Sequence, residues 1–272
     1  PMTIEAVACY LGIVKAGMCV VAIADSFAPN EIKTRLDIAS TKGVITQDII
    51  TLGNKALPLY DKVTEAGASK TIVLLEKADN AVQLRKDDIL FTDFISEDTT
   101  FTPVSCEPDA PTNILFSSGT TGTPKAIPWD HTSPIKAAMD GYFHQNIQAD
   151  DIIAWPTNLG WMMGPWLIYA CFINKATMAL YYDAPNSMDF CQFIENSKTT
   201  ILGVVPSLVK TWKENNCLSK VNWENIHCFT STGEASNPTD MFYLASQANY
   251  CPIIEYCGGT EIAGGYITST VI

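Results

Sequence analysis

A buried strand that runs directly into a loop of small polar residues constrains this chain most. The apolar run Ile114-Leu115-Phe116 predicts the strand. The loop comprises Ser117, Ser118, Gly119, Thr120, Thr121, Gly122, Thr123, Pro124 and Lys125. Such a loop presents backbone N–H groups and hydroxyls that together suit phosphate oxygens, and its lysine adds a positive charge. We therefore expect an anion-binding site immediately after this strand.

The loop differs from the two most familiar nucleotide-binding loops. Pro124 precedes the lysine where a Walker A loop has glycine, and Ala126 follows where serine or threonine would hold magnesium. The loop also lacks the G-x-G-x-x-G spacing of dinucleotide-binding folds. The alternative interpretation is a flexible surface loop, since clusters of these residue types usually mark turns.

Strand and helix patterns alternate along the whole chain. Strands are predicted at residues 19–23, 71–75, 114–116, 152–155, 177–181, 201–204, 227–230 and 253–256. A further strand is predicted to begin at residues 44–45. Helices are predicted at residues 4–16, 29–39, 134–143, 165–172, 188–196, 206–215 and 238–247. Residues 76–111 are more polar and are predicted to be peripheral. Continuous apolar strands between helices are typical of α/β folds with stacked parallel or mixed sheets flanked by helices.

The charge balance limits the partners. The chain has 272 residues, 47% of them hydrophobic, and a formal net charge of −12. Because no basic patch is visible, we expect no nucleic-acid partner. A phosphate ligand would therefore need a positive site built locally from loop amides, a lysine and a metal ion.

The cysteines and histidines show no metal-binding pattern. The nine cysteines are scattered and form no C-x-x-C pair, which argues against zinc or a disulfide framework and fits a reducing compartment. No acid or metal partner is evident for His131, His144 or His227, so we interpret all three as structural.

One uncharged stretch could be mistaken for a membrane span. Residues 152–174 carry no charge, but prolines and glycines interrupt them and basic flanks are absent. We expect a buried segment that lines a substrate site, and no membrane span.

Five segments, in the expected order, resemble the adenylate-forming superfamily, which includes acyl-CoA synthetases, luciferases and peptide-synthetase adenylation domains. They are residues 5–25, the loop 117–125, Asn158 to Gly164, Gly233-Glu234-Ala235-Ser236 and Gly258-Gly259-Thr260-Glu261. The resemblance covers essentially the whole chain. It is greatest to plant acyl-activating enzymes of the peroxisomal and hexanoyl type, in the acetyl-CoA synthetase branch.

This resemblance implies an ATP-dependent acyl-CoA synthetase. A carboxylic acid would attack the α-phosphorus of ATP to form an acyl-adenylate, and CoA would then take the acyl group. The implied catalytic residues are Lys125, Thr260 and Glu261, with Glu261 also the ligand of Mg²⁺. The implied ATP-binding residues are Ser117, Ser118, Gly119, Thr120, Thr121, Gly122, Thr123, Gly233, Glu234, Ala235, Glu255, Tyr256 and Cys257. The implied acyl-binding residues are Trp161, Met162, Met163, Gly164, Thr232 and Gly258.

Two positions depart from the family pattern. Many members carry an aromatic residue that stacks on adenine where this chain has Cys257. Short-acid members carry tryptophan where this chain has Gly258, so we expect a deeper pocket that accepts a medium-chain acid. Gly160 and Gly164 favour close approach of the backbone to a ligand, although the neighbouring Trp and Met residues also fit an ordinary core.

We expect residues 1–272 to form a partial N-terminal AMP-binding domain, without the lysine-bearing C-terminal domain, that is incomplete for the full reaction. The alternatives are a ligase for acetate or propionate and a non-catalytic nucleotide-binding fragment. A peptide-synthetase domain is less favoured because residues 158–160 offer no acid to bind an amino group. The expected location is intracellular, either cytoplasmic or peroxisomal.

Overall fold

A computed structural model describes residues 1–117 and 122–271. The strands are β1 (Val20–Val21), β2 (Val44–Gln47), β3 (Ile50–Leu52), β4 (Lys55–Leu57), β5 (Thr71–Leu74), β6 (Ile89–Leu90), β7 (Pro111–Ser117), β8 (Lys125–Asp130), β9 (Ile152–Ala154), β10 (Thr177–Ala179), β11 (Ile201–Val204), β12 (Cys228–Ser231), β13 (Ile253–Gly259) and β14 (Gly264–Thr268). The helices are α1 (Ile4–Lys15), α2 (Pro29–Ala39), α3 (Leu59–Glu65), α4 (Phe91–Phe94), α5 (Ser133–Phe143), α6 (Met163–Ile173), α7 (Met188–Asn196), α8 (Pro206–Glu214) and α9 (Pro238–Ser246). Every strand and helix predicted from the sequence is present, with small shifts of the ends.

Proline marks the start of three helices that the sequence predicted. Pro29, Pro206 and Pro238 are the first residues of α2, α8 and α9. Proline suits this position because its fixed φ is helical and the N–H it lacks would have no partner there. Asn237 adds a cap to α9, since its side chain accepts a 2.9 Å hydrogen bond from the Thr239 N–H.

The chain divides into two compact units, of which the first is Pro1 with Glu5–Asp130. This unit contains the sheets β1-β7-β8, β2-β5-β6 and β3-β4. Strand β7 runs parallel to β1 and antiparallel to β8, and Ser117 pairs with Lys125 across the second ladder. The predicted phosphate loop therefore connects two paired strands.

The second unit is Met2–Ile4 with His131–Ile272 and is built on one sheet. Its strand order is β10-β9-β11-β12-β13-β14, and only β14 runs antiparallel to its neighbour. One core cluster packs α7, α8 and α9 against this sheet. Within it, Trp212 stacks on Phe190 at 5.6 Å and donates its indole N–H to the Pro185 carbonyl at 2.8 Å.

The uncharged stretch predicted to be buried is divided between β9 and α6. Helix α6 is buried from Met163 to Cys171, including Trp166, whose side chain is fully covered. Among the described residues, the helices are too short to cross a bilayer. The predicted burial is therefore confirmed for Met163–Cys171, whereas Trp161, Phe172 and Ile173 are exposed, and the substrate-lining role of the segment stays a prediction.

Candidate functional site

The parallel strands of the second unit all end at one edge of their sheet. Strand β11 leads to Ser207, β12 leads to Glu234, and β13 leads to Thr260. Ligands of open α/β sheets bind outside the carboxyl ends of the strands, where the following loops present their polar groups. This edge is therefore the candidate site of the second unit.

The turn after β12 is held on both sides by carboxylates. Glu234 accepts hydrogen bonds from the N–H and the hydroxyl of Ser207, each 2.9 Å long, at the start of α8. This carboxylate thus stabilises the positive end of the helix. Ser236 donates to Glu255 at 2.9 Å, which ties the turn to β13. Gly233 has φ +87°, a backbone conformation that favours glycine.

Side chains of β13 alternate between an exposed and a covered face. Glu255 and Cys257 are exposed, whereas Tyr256 is 2% exposed and its ring lies 5.6 Å from Trp166. Burial, together with a hydrogen bond to Asp140, raises the pKa of Tyr256. A ligand on the exposed face can therefore meet Tyr256 only through its backbone, and the predicted contact of Tyr256 with ATP would be made there.

A buried carboxylate on α5 connects the two strands that flank Thr260 and Glu261. Asp140 is 3% exposed and pairs with Lys136 on the same helix. It accepts the Tyr256 hydroxyl of β13 at 2.6 Å and the Gly265 N–H of β14 at 2.8 Å. Sequence reasoning missed this junction. The only signal was an aspartate within an otherwise apolar stretch of a predicted helix.

Thr260 and Glu261 lie in the short 3₁₀ turn Thr260–Ile262, between β13 and β14. The Glu261 side chain is exposed and Thr260 is half-buried. Thr232, also assigned by resemblance, donates its hydroxyl to the Tyr256 carbonyl at 2.5 Å. The structure thus brings Thr232, Glu255 and the Thr260–Glu261 turn to one end of one strand.

Gly258 does not open a pocket, contrary to the sequence-based prediction. A Cβ at Gly258 would lie 2.3 Å from the Gly264 carbonyl oxygen and 2.9 Å from its carbonyl carbon. The backbone of β14 therefore fills the space where a side chain would project. Glycine is required here because the two strands approach closely, so Gly258 gives no support for a deeper acyl site.

The segment predicted to bind the acyl group folds back on itself. A Cβ at Gly164 would lie 2.3 Å from the Asn158 carbonyl oxygen, so its close contact is with the chain's own backbone and not with a ligand. Met163 is 8% exposed, whereas Trp161 is 49% exposed and Met162 is half-buried. Of the four residues predicted here to bind the acyl group, Trp161 and Met162 have exposed side-chain surface, whereas Met163 and Gly164 are buried and gain no support from the structure.

In the first unit, the ends of the predicted phosphate loop are accessible. Gly122, Thr123 and Lys125 are exposed, and Ser117 is half-buried. Gly122 has φ +83°, which favours glycine. The predictions for Ser118, Gly119, Thr120 and Thr121 fall outside the described residues.

Arg35 adds a positive charge that sequence reasoning missed. Its guanidinium is 6% exposed, lies 3.7 Å from the Phe27 ring centroid and 5.5 Å from that of Phe116, and donates to the Glu31 carbonyl at 2.9 Å. Burial lowers the pKa of Arg35, with Glu31 opposing this effect. Because Phe116 directly precedes the loop, Arg35 contributes to the local positive charge that an acidic chain needs to bind phosphate.

A family model described as AMP-binding enzyme matches residues 1–271. The chain belongs to this family. It is 50% identical to the probable acyl-activating enzyme 18, peroxisomal, of Arabidopsis thaliana, over 98% of this chain and 38% of that protein. It is also 50% identical to the hexanoyl-CoA synthase of Cannabis sativa, again over 98% of this chain and 38% of that protein. The chain thus spans about two fifths of the length of these relatives.

A solved structure supports the AMP-binding fold. The acetoacetyl-CoA synthetase from Streptomyces lividans superposes with a TM-score of 0.90 over 100% of this chain and 44% of that chain, at 20% identity. The predicted resemblance and the predicted α/β fold with sheets flanked by helices are therefore confirmed. The roles of individual site residues stay predictions.

Glu261, the predicted ligand of magnesium, is compatible with an ion that binds together with ATP. Among the described residues, no group of three or more His, Cys, Asp and Glu side chains could hold a metal ion. Glu261 is a single exposed carboxylate at the edge of the sheet. Mg²⁺ in proteins commonly takes one or two carboxylates, with water and substrate phosphates as its other ligands. Glu261 therefore suits Mg²⁺ bound to ATP.

His227 does have an acid partner, contrary to the sequence-based expectation. Its Nε2 lies 2.8 Å from Asp151 Oδ1, which also accepts the Thr200 hydroxyl at 2.7 Å. The bond to Asp151 raises the pKa of His227. Burial opposes ionisation of Asp151, but hydrogen bonds from His227 and Thr200 lower the pKa of this carboxyl. The pair lies at the amino-terminal edge of the sheet, opposite the candidate site.

All nine cysteines are free thiols. Burial raises the pKa of Cys171 and Cys228, which makes these two thiols inert. Cys257 is exposed and lies beside the candidate site.

Proposed function

We propose that this chain is part of an ATP-dependent acyl-CoA synthetase, which joins a carboxylic acid to AMP and then transfers the acyl group to CoA. The observation that carries the proposal is the Thr260–Glu261 turn, with Glu261 exposed, at the carboxyl edge of the sheet in a chain of the AMP-binding family. The names of two relatives, an acyl-activating enzyme and a hexanoyl-CoA synthase, support the same chemistry.

The proposed chemistry needs donors that offset the repulsion between a carboxylate and a polyphosphate. Within the first unit, Lys125 and the loop that it ends would bind phosphate oxygens. Thr260 would donate to an oxygen of the α-phosphate, where negative charge develops as the acid attacks. Glu261 would hold Mg²⁺, which neutralises phosphate charge when it is bound. Lys125 and Glu261 are exposed and Thr260 is half-buried, which supports such contacts for these three side chains.

The adenine would lie along the exposed face of β13, beside the turn after β12. Glu255 offers a carboxylate that can accept from the amino group of adenine, and its bond with Ser236 fixes its orientation. The backbone of Gly233, Glu234 and Ala235 would border the same ring. Glu234 itself is engaged by Ser207, so its side chain stabilises the turn.

We infer a medium-chain acid and a peroxisomal location from relatives, because Gly258 does not support a deeper pocket. A hexanoyl-CoA synthase and a protein named as peroxisomal are each 50% identical to this chain over the residues that align with it. We further propose that residues 1–272 are part of the N-terminal domain and that a lysine-bearing C-terminal domain completes the enzyme. Acetate is the competing substrate, since an acetyl-CoA synthetase of Xanthomonas axonopodis is 25% identical.

Acid-dependent exchange of pyrophosphate into ATP tests this function in the longest natural polypeptide that carries the sequence. We expect exchange with hexanoate that exceeds exchange with acetate. Lys125→Ala should reduce exchange by about 10- to 100-fold, because hydrogen bonds to charged groups contribute about 1.5–3 kcal/mol. Glu261→Gln should raise the magnesium concentration needed for half-maximal exchange.

Two exposed side chains that are not among the predicted site residues provide matched controls. Lys77→Ala and Glu97→Gln remove the same charges from exposed positions and should leave exchange unchanged. A preference for acetate would overturn the assigned acid. Binding of ATP without any acid-dependent exchange would identify a nucleotide-binding protein and overturn the synthetase.

A further inference from the structure

A bulge in the β13–β14 ladder changes the direction of one side chain. Cys257 pairs with Ile267 and Gly258 pairs with Gly265, so Tyr266 has no partner residue on β13. Bulges of this kind redirect a side chain and are frequent beside active sites. Here the Cys257 thiol donates to the Tyr266 hydroxyl at 3.0 Å, which shows that the tyrosine lies on the Cys257 face.

The same face carries a large apolar surface beside a carboxylate. Tyr266 is 64% exposed and Ile267 is 70% exposed. Glu255 projects from the same side of β13, two residues before Cys257. A flat ring that bears an amino group matches this combination, because the ring can cover the apolar surface while its amino group donates to the carboxylate.

We propose that Tyr266 supplies the aromatic surface on which the adenine of ATP stacks. This inference rests on the proposed function. A cysteine side chain at 257 is too small to cover a purine, whereas the Tyr266 ring lies beside it, with its hydroxyl 3.0 Å from the thiol. The neighbouring Ile267 adds apolar area at the same edge. Tyr266 is thus a binding residue that lies outside the recognised motifs.

Alkylation of Cys257, followed by mass spectrometry of its peptide, tests this placement without measuring catalysis. The experiment uses the longest natural polypeptide, with iodoacetamide as the reagent and Cys106 as the internal reference thiol. We expect ATP to slow alkylation of Cys257 and inorganic tripolyphosphate, which lacks a base, to leave it unchanged. An ATP titration of this protection gives the dissociation constant.

Three variants show whether the affinity for ATP depends on the Tyr266 ring, on its hydroxyl, or on the loss of any exposed aromatic side chain. Tyr266→Ala should weaken ATP binding by about tenfold or more, since stacking on a base is typically worth this much. Tyr266→Phe keeps the ring and should bind within about twofold of the wild type. Phe242→Ala removes a 73% exposed aromatic side chain from α9 and should have no effect. A urea unfolding midpoint equal to that of the wild type shows that Tyr266→Ala is folded.

The possible results distinguish the role of Tyr266 from the proposed function. ATP protection that persists unchanged in Tyr266→Ala overturns the role of Tyr266 and leaves the proposed function standing. Absence of ATP binding in the wild type overturns the proposed function and this inference together. A Cys257 that resists alkylation without ATP indicates that another segment covers the face, which also overturns the inference.

Discussion

Replacing Asp140 by asparagine tests whether the α5 junction holds the Thr260–Glu261 turn in place. The carboxylate is 3% exposed and binds Lys136 on its own helix. It also binds one residue on each strand next to the turn, Tyr256 on β13 and Gly265 on β14. Asparagine keeps the shape of the side chain but offers one acceptor oxygen and no charge.

The expected loss follows from the number and type of bonds. Hydrogen bonds to a charged group contribute about 1.5–3 kcal/mol and neutral ones about 0.5–1.5 kcal/mol, so neutralising the acceptor of two such bonds costs about 2 kcal/mol. The Lys136 side chain is 35% exposed and can turn to water, which limits the cost of losing the ion pair. We expect the free energy of unfolding to fall by about 2–4 kcal/mol.

Urea unfolding followed by tryptophan fluorescence measures this loss, and pyrophosphate exchange at low urea measures its effect on the turn. Exchange per folded molecule should fall, because the turn loses its attachment on both sides. Tyr256→Phe removes one bond and should cost about 1–2 kcal/mol. Asp150→Asn changes an exposed aspartate in a loop and should leave both measurements unchanged.

A double-mutant cycle of Asp140→Asn and Tyr256→Phe decides whether the two residues act as one unit. Direct contact predicts a coupling of about 1 kcal/mol or more, whereas independent residues give additive losses. Additive losses, or an Asp140→Asn variant as stable as the wild type, would refute the reasoning. A stable variant with normal exchange would show that the turn needs no such support.

Two further predictions concern pH and backbone packing. The pKa of His227 is raised from its ordinary value of 6.5, and the pKa of Asp151 is lowered from its ordinary value of 3.8. The ion pair between them therefore stabilises the folded state fully between pH 3.8 and pH 6.5. The free energy of unfolding should therefore fall by up to about 1 kcal/mol as the pH rises through the raised pKa of His227. The variant His227→Gln should not show this fall. A variant whose stability depends on pH in the same way as that of the wild type would contradict the prediction. Gly258→Ala should cost about 1–3 kcal/mol in urea unfolding because its Cβ meets the backbone of β14. Gly12→Ala, a helical position with nothing within 4 Å, should be neutral or stabilising, and equal effects of the two changes would contradict the packing argument.

The alternation of strands and helices could be predicted because strands covered on both faces are continuous apolar runs. Strands β9, β11 and β12 are of this kind. The missed elements are short or exposed. The β3–β4 hairpin has three residues in each strand, β8 contains a proline, and β14 begins with two glycines. Such strands carry little apolar signal, and their partner strands decide whether they form.

The sequence motifs predicted which positions lie near a ligand, but they did not predict the directions in which the side chains project. For Tyr256 the direction was predictable, since side chains alternate along a strand and Glu255 and Cys257 must share the other face. For Gly258 and Tyr266 it was not, because the bulge between β13 and β14 is a property of the pairing and not of either strand alone. Both departures from the family pattern lie at this bulge. The close approach of β14 requires a glycine at 258, and the redirected Tyr266 brings an aromatic ring to the cysteine at 257.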